Sequence, residues 1–77
     1  MHTSLDHLFP SQTGTIETID VSPELGRRMA ALGLRPGRRV EMVRAAPLRG
    51  PLQIRIGHTE IMIRRVDAAK INVNLVA

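Results

Sequence analysis

Leu32-Gly33-Leu34-Arg35-Pro36-Gly37, followed after eight residues by Ala46-Pro47-Leu48-Arg49-Gly50-Pro51, is the part of this chain that decides its fold. A glycine just past a periodic leucine is a helix stop, because the position after the last helical residue favours left-handed backbone that glycine takes at little cost. Arg35-Pro36-Gly37 is a turn: proline presets one backbone angle and glycine supplies the next. Val40, Met42 and Val43 then head a strand that runs through Arg44 and Ala45 into the rigid corner 46–51. Punctuation this dense specifies a compact β-rich module. The corner holds no nucleophile, no carboxylate pair and no cysteine, so its capacity is to hold a surface in shape.

Working back from that stretch, Ser22 is placed as a helix N-cap, with Pro23 at the first helical position and Glu24 in the first turn, where its charge suits the helix dipole. Leu25, Met29 and Leu32 recur at i, i+4 and i+7, one apolar stripe on a short helix over about 23–32. Gly26 costs that helix about 1 kcal/mol against alanine and a Glu24–Arg28 pair returns a few tenths, so the helix depends on packing against a sheet. Upstream, Thr15 to Ile19 alternates as a first strand, after a turn at Ser11-Gln12-Thr13-Gly14 and an entry segment laying Leu5, Leu8 and Phe9 on the core.

Working forward, Leu52, Ile54 and Ile56 alternate with polar residues, as do Ile61 and Ile63. Gly57-His58 between them suits a type II′ hairpin turn, which needs glycine first. That turn sets Ile54 opposite Ile61 and Leu52 opposite Ile63, so turn and hydrophobic pattern agree on one register. A short helical turn near 67–70 precedes a closing strand with Ile71, Val73 and Leu75 inward and Asn72 and Asn74 outward. The expected fold is mainly β: a small closed barrel of about five strands with one inserted helix.

The 77 residues are expected to form one domain, 1–77, of a size that buries only about 60% of its unfolded surface. With no cysteine, no disulfide can staple it. Met1 leads into polar residues rather than a basic, then apolar, run, and no apolar stretch approaches the ~20 residues of a membrane span. A cytoplasmic location is the expectation. The charge is uneven: residues 1–26 sum to −4 and residues 27–77 to +8, and ten of the eleven bases are arginine. Such a face meets phosphate, anionic lipid or an acidic protein surface. Phe9 is the single aromatic residue, so there is no stacking platform for unpaired bases and no nucleic acid is expected.

The order Gly14, Ser22-Pro23, Leu32 to Gly37, Val43 to Leu48, a hairpin, Ile63-Arg64-Arg65 and Ala69-Lys70-Ile71 resembles the ferrous-iron transport protein A (FeoA-like) family, from about Leu5 to Val76. The resemblance implies a Src-homology-3-like small barrel with an inserted helix. It implies a small accessory partner of the bacterial membrane ferrous-iron transporter, whose cytoplasmic portion binds GTP, and recruitment to the inner membrane through that partner. The same barrel also occurs as the C-terminal domain of metal-dependent repressors, which keeps a nucleic-acid-binding barrel or a repressor accessory domain as the alternative. One departure is visible: the family commonly continues the proline-leucine corner with glycine-aspartate-proline, where this chain has Arg49-Gly50-Pro51.

The partner-binding candidates are Arg27, Arg28, Arg35, Arg38 and Arg39, five bases within thirteen residues with no acid among them, together with Met29 and the apolar corner Pro47-Leu48. Met29 on the helical stripe reads more readily as core than as an anchor, and Leu48 reads equally as a lid on the barrel end. Ser22, Pro23, Gly33, Pro36, Gly37 and Gly57 are assigned to structural turns. His2, His7 and His58, with Asp6, are weak metal candidates, since the first two lie five apart rather than four and the third sits at a hairpin tip. No cofactor is expected, because there is no GxxxxGK loop for phosphate and no histidine spaced to activate Ser11, Ser22 or Thr59. Catalysis is not expected. Open barrel edges also make a homo-oligomer a reading of this chain.

Overall fold

The computed structural model describes residues 1–75, so Val76, at the end of the stretch that carries the resemblance, lies outside it. Six strands form one antiparallel sheet: β1 (His2–Ser4), β2 (Thr13–Ile19), β3 (Arg39–Ala45), β4 (Leu52–Ile56), β5 (Thr59–Ile63) and β6 (Ile71–Leu75), in the order β1-β6-β2-β3-β4-β5. Helix α1 (Pro23–Ala31) lies in the β2–β3 connection and α2 (Arg65–Ala68) before β6, and a turn of 3-10 helix (Leu5–His7) follows β1. This is a mainly β, SH3-like small barrel with an inserted helix. It has one strand more than the sequence indicated, and no ladder joins β5 to β1 among the described residues, so the barrel is curled but not closed.

The curl has two identifiable sources. Between β2 and β6 the register slips between Ile16 and Thr18, and between β3 and β4 it slips between Met42 and Arg44, leaving Glu17 and Val43 as the extra residues of two β-bulges. A bulge bends its strand and increases the local twist, which is how a six-stranded sheet folds over its own core. That core is Leu5, Leu8, Ile16, Leu34, Val40, Met42, Leu52, Ile54, Ile56, Ile63, Ile71 and Val73, joined by Met29 and Ala68 from the helices. Phe9, expected beside Leu8, is instead exposed, because the chain turns outward there: Gln12 Oε1 accepts from the Phe9 N–H (2.7 Å) and Ser11 takes a positive φ of 76°.

The turn residues sit as read. Ser22 caps α1, its Oγ accepting from the Leu25 N–H (3.3 Å), with Pro23 as the first helical residue. At the other end Gly33 takes φ +100°; its N–H donates to the Ala30 carbonyl (3.0 Å), and the Leu34 N–H donates to the Met29 carbonyl (2.9 Å). These two bonds are a Schellman motif, and the buried Leu34 and Met29 supply its apolar contact. Glu24 and Arg28 form no ion pair, so α1 is held by its caps and by Leu25 and Met29 of the apolar stripe, while Leu32, the third member, is exposed.

Pro36-Gly37 form a type II turn, the Arg38 N–H donating to the Arg35 carbonyl (3.2 Å), and the Gly37 N–H pins the turn to the Ile16 carbonyl of β2 (2.7 Å). Gly57 opens the β4–β5 hairpin at φ +61°, and the register is Leu52↔Ile63 and Ile54↔Ile61. β1 pairs with β6, setting His2 opposite Asn74 and Thr3 opposite Val73, and the Met1 amino group donates to Asn74 Oδ1 (3.1 Å). No helix among the described residues is long and apolar enough to cross a membrane.

Candidate interaction surface

The corner 46–51 is the most unusual backbone in the molecule. The Ala46 N–H donates to the Pro51 carbonyl (3.1 Å), and inside that loop the Gly50 N–H donates to the Pro47 carbonyl (3.2 Å). Leu48 and Arg49, the two residues so enclosed, both take φ +59°. Two successive left-handed residues define a type I′ turn, a conformation usually occupied by Asn-Gly or Gly-Gly. Held by two prolines and by Arg65, whose Nε donates to the Gly50 carbonyl (3.0 Å), the turn projects Leu48 at 99% exposure. Leu48 therefore caps nothing. It is an apolar side chain on strained backbone with no intramolecular contact to account for it. Gly50 sits in tight space: a Cβ there would lie 3.0 Å from Ala46 Cβ and 3.3 Å from the Pro47 carbonyl oxygen, so the corner would have to give by a few tenths of an ångström.

The arginines named from sequence are all exposed and form no ion pair among the described residues, but they do not make one patch. Arg38 and Arg39 gather with Thr13, Glu41, Arg55 and Gly57 around an open hollow of about 360 Å³. Arg28 lies elsewhere, on the rim of a groove between α1 and β5, facing Arg64 and Asp67. Arg27 and Arg35 line neither. Met29 is buried and forms the floor of the α1–β5 groove, so the anchor expected on the helix surface is a core side chain there. The residues that replace it at the surface are Leu32, 52% exposed, and Met62, 57% exposed, neither of which the sequence reading selected.

Sequence reading also missed a charge cluster on the outer face of the hairpin. Arg55 Nη2 donates to Glu60 (2.7 Å) and Nη1 to Glu41 (3.2 Å), while Gln53 hydrogen-bonds the other Glu60 oxygen. The Arg55 hydrogen bond holds the Glu60 carboxyl below its ordinary value, and the same contact raises Arg55. Cross-strand pairing aligns these side chains, since Arg55 stands opposite both Glu60 on β5 and Glu41 on β3. The signal was present as charged residues at 41, 55 and 60 with a polar Gln53 between them, and needed only the register to assemble it.

His2 and His7 share an open hollow with Glu17, while His58 stands apart. His2 Nδ1 is hydrogen-bonded to Glu17 Oε1 (2.6 Å), His7 lies 3.7 Å from Asp6 and near Ser4 and Thr3, and His58 sits at the hairpin tip. Among the described residues no three of His, Cys, Asp or Glu come close enough to hold a metal ion.

With this geometry in view, the relatives are informative. A ferrous-iron transport protein A/ferrous-iron transporter FeoB fusion protein of Porphyromonas gingivalis is 32% identical over 73 residues, which is 95% of this chain and 9% of the fusion protein. The solution structure of iron(II) transport protein A from Clostridium thermocellum superposes with a TM-score of 0.91 at 34% identity, covering 96% of this chain and 46% of that one. A zinc-complexed Stenotrophomonas maltophilia FeoA crystal structure, described as a prokaryotic SH3 domain protein, has a TM-score of 0.79 at 26% identity and covers 94% of this chain and 89% of that one. The model of the FeoA domain matches residues 3–75, and this chain belongs to the FeoA domain family.

Proposed function

We propose that this chain is a non-catalytic accessory module of bacterial ferrous-iron uptake that docks on the membrane iron transporter at its cytoplasmic GTP-binding part and modulates it. The supporting observation is the Porphyromonas gingivalis fusion, in which a related domain and the transporter share one polypeptide and so act at one place. Recruitment to the membrane surface is then a property of the complex. Leu48 is the natural anchor: it is a fully exposed apolar side chain, and a turn fixed by Pro47 and Pro51 spends little entropy on binding. Arg49 beside it, and Arg38 and Arg39 on the barrel, steer the approach to an acidic surface.

The test is calorimetric titration of the chain into full-length transporter and into its isolated GTP-binding domain, at two salt concentrations, with and without nucleotide. Saturable binding weakened at least tenfold by Leu48→Ala, with the fold intact by circular dichroism, is the expected result. Binding unaffected by Leu48→Ala moves the contact elsewhere. No binding to the transporter, with affinity for duplex DNA that falls steeply with salt, would replace this reading with the nucleic-acid one.

A further inference from the structure

The β5 edge carries a feature that docking through Leu48 leaves unused. In a two-residue hairpin the residues flanking the turn form a hydrogen-bonded pair, and such pairs then alternate along the ladder. Ile56–Thr59, Ile54–Ile61 and Leu52–Ile63 therefore turn their backbone groups toward each other, while those of Glu60 and Met62 point away from β4. The neighbouring ladder agrees: the Met42 N–H and carbonyl, opposite Ile54, engage Gln12 and Ser11 rather than β4. β5 is the last strand of the sheet, and neither Glu60 nor Met62 has a turn, loop or cap backbone partner. The strand, Thr59-Glu60-Ile61-Met62-Ile63, contains no proline, no lysine and no bulge to blunt the edge. Alongside it runs the open groove of about 400 Å³ between α1 and β5, lined by Leu25, Met29, Leu32, Ile61 and Met62.

We propose that this edge is a homodimer interface, formed when β5 of one copy adds antiparallel to β5 of a second copy about a two-fold axis at Ile61. The strand is complementary to itself in that register. Glu60 falls opposite Met62 of the second copy and Met62 opposite its Glu60, so the outward N–H and carbonyl groups of all four residues meet as hydrogen-bonded pairs. Ile61 faces Ile61 across a non-hydrogen-bonded position, where side chains approach most closely, and both lie on the groove side, covering Leu32. Arg64, one residue past the end of β5, stands diagonally from Glu60 of the second copy, an opposite-charge neighbour, and no like charges are directly opposed at 60–62. The contact is isologous, so it closes at two copies instead of growing a fibre. The result is a continuous twelve-stranded sheet, with the 46–51 corner joined to β4, one strand in from the paired edge. This dimer does not depend on the transporter reading.

The test is sedimentation of the full chain from about 10 µM to about 1 mM, the range of weak protein pairs, with amide hydrogen exchange measured across the same concentrations. The expected result is a monomer–dimer equilibrium in which the Glu60 and Met62 amides gain protection with concentration, while those of His2 to Ser4 on the opposite edge do not. Met62→Pro removes an N–H that points away from β4, so it spares the hairpin ladder and should weaken the dimer at least about tenfold. Where that variant disturbs the hairpin, Arg64→Glu serves instead, placing a like charge beside Glu60 of the second copy and weakening the dimer without touching the backbone. A monomer at every concentration, or a dimer indifferent to both variants, overturns the proposal. Protection of Glu60 and Met62 that appears only on adding transporter also overturns it, by giving the edge to a strand of that partner.

Discussion

At the end of α1 the residue in the left-handed region is Gly33, and the two hydrogen bonds it permits close over Leu34, which is 2% exposed; at the 46–51 corner the left-handed residues are Leu48 and Arg49, and nothing covers Leu48. Both are tight reversals of similar length, yet in the first the residue type, the backbone angle and the burial agree. In the second they conflict. A non-glycine residue in the left-handed region costs roughly 1–2 kcal/mol, so the corner carries a local penalty that its surroundings must override. They do so through Pro47 and Pro51, the Ala46–Pro51 hydrogen bond and the Arg65 contact to Gly50. Agreement across levels is what folding requires; a conflict retained at a fully exposed apolar tip gives the fold nothing, and is what a contact site looks like before its partner arrives.

The largest test of this contrast uses one substitution at both places. Leu34→Ala removes a buried side chain from the Schellman contact and should cost about 2–5 kcal/mol in urea unfolding, enough to leave a domain of this size barely folded. Leu48→Ala should change stability by no more than about 0.5 kcal/mol, because the side chain has no packing to lose. Comparable losses at the two positions would show that Leu48 is packed in solution and would remove the basis for treating the corner as an anchor.

The same contrast marks how far the sequence could be read. Ser22-Pro23, Gly33, Pro36-Gly37 and Gly57-His58 were legible because each turn is decided by its own residues, and the hairpin register followed from the turn and the alternation together. β1 was not, since His2-Thr3-Ser4 carries no apolar alternation and its strand state comes from pairing with β6, some 70 residues away in the chain. The two bulges had a signal that passed unread: Glu17-Thr18 and Met42-Val43 each repeat one polarity where strict alternation would switch, as an extra residue on one strand does. For the candidate surface, exposed arginines were legible as a composition but not as a map. The division of Arg28 from Arg38 and Arg39, and the exposure of Leu32 and Met62, depend on where α1 lies against β5. Leu48 was selected, but its left-handed angle was not, because Pro-Leu-Arg-Gly reads as an ordinary corner until φ is known.

Exchanging glycine between the two turns should move stability in opposite directions. Gly33→Val forces a β-branched residue to φ +100° and should destabilise by about 1–3 kcal/mol. Arg49→Gly, which restores the residue that the family resemblance places in this corner, relieves one left-handed side chain and should stabilise by about 1 kcal/mol, a rise of roughly 4–8 °C in Tm. The loss would be read as a lower urea midpoint at unchanged slope, the gain as a higher one. If Arg49→Gly instead destabilises, the guanidinium makes a contact in solution that outweighs its backbone cost, and the corner is a packed element after all.

The smallest effect separates backbone geometry from charge. Neither Met29 to Leu34 nor Ala46 to Pro51 contains a carboxylate, so mild acid has no group to protonate in either turn. Glu60 is different: hydrogen bonds from Arg55, and then from Gln53, hold its folded pKa below the ordinary value of 4.5. A carboxylate depressed in this way contributes stability that is fully present above its unfolded pKa and is lost as pH falls through the lower, folded value. Thermal melts taken downward from pH 6 should therefore show a decline that begins near pH 4.5 and is shallower in Glu60→Gln. The Tm difference between the wild-type chain and Arg49→Gly should stay constant over the same range, because that difference is conformational. Were it to shrink together with the Glu60 contribution, corner and hairpin would be coupled through charge, and the strain at Leu48 and Arg49 would no longer be a property of the 46–51 backbone alone.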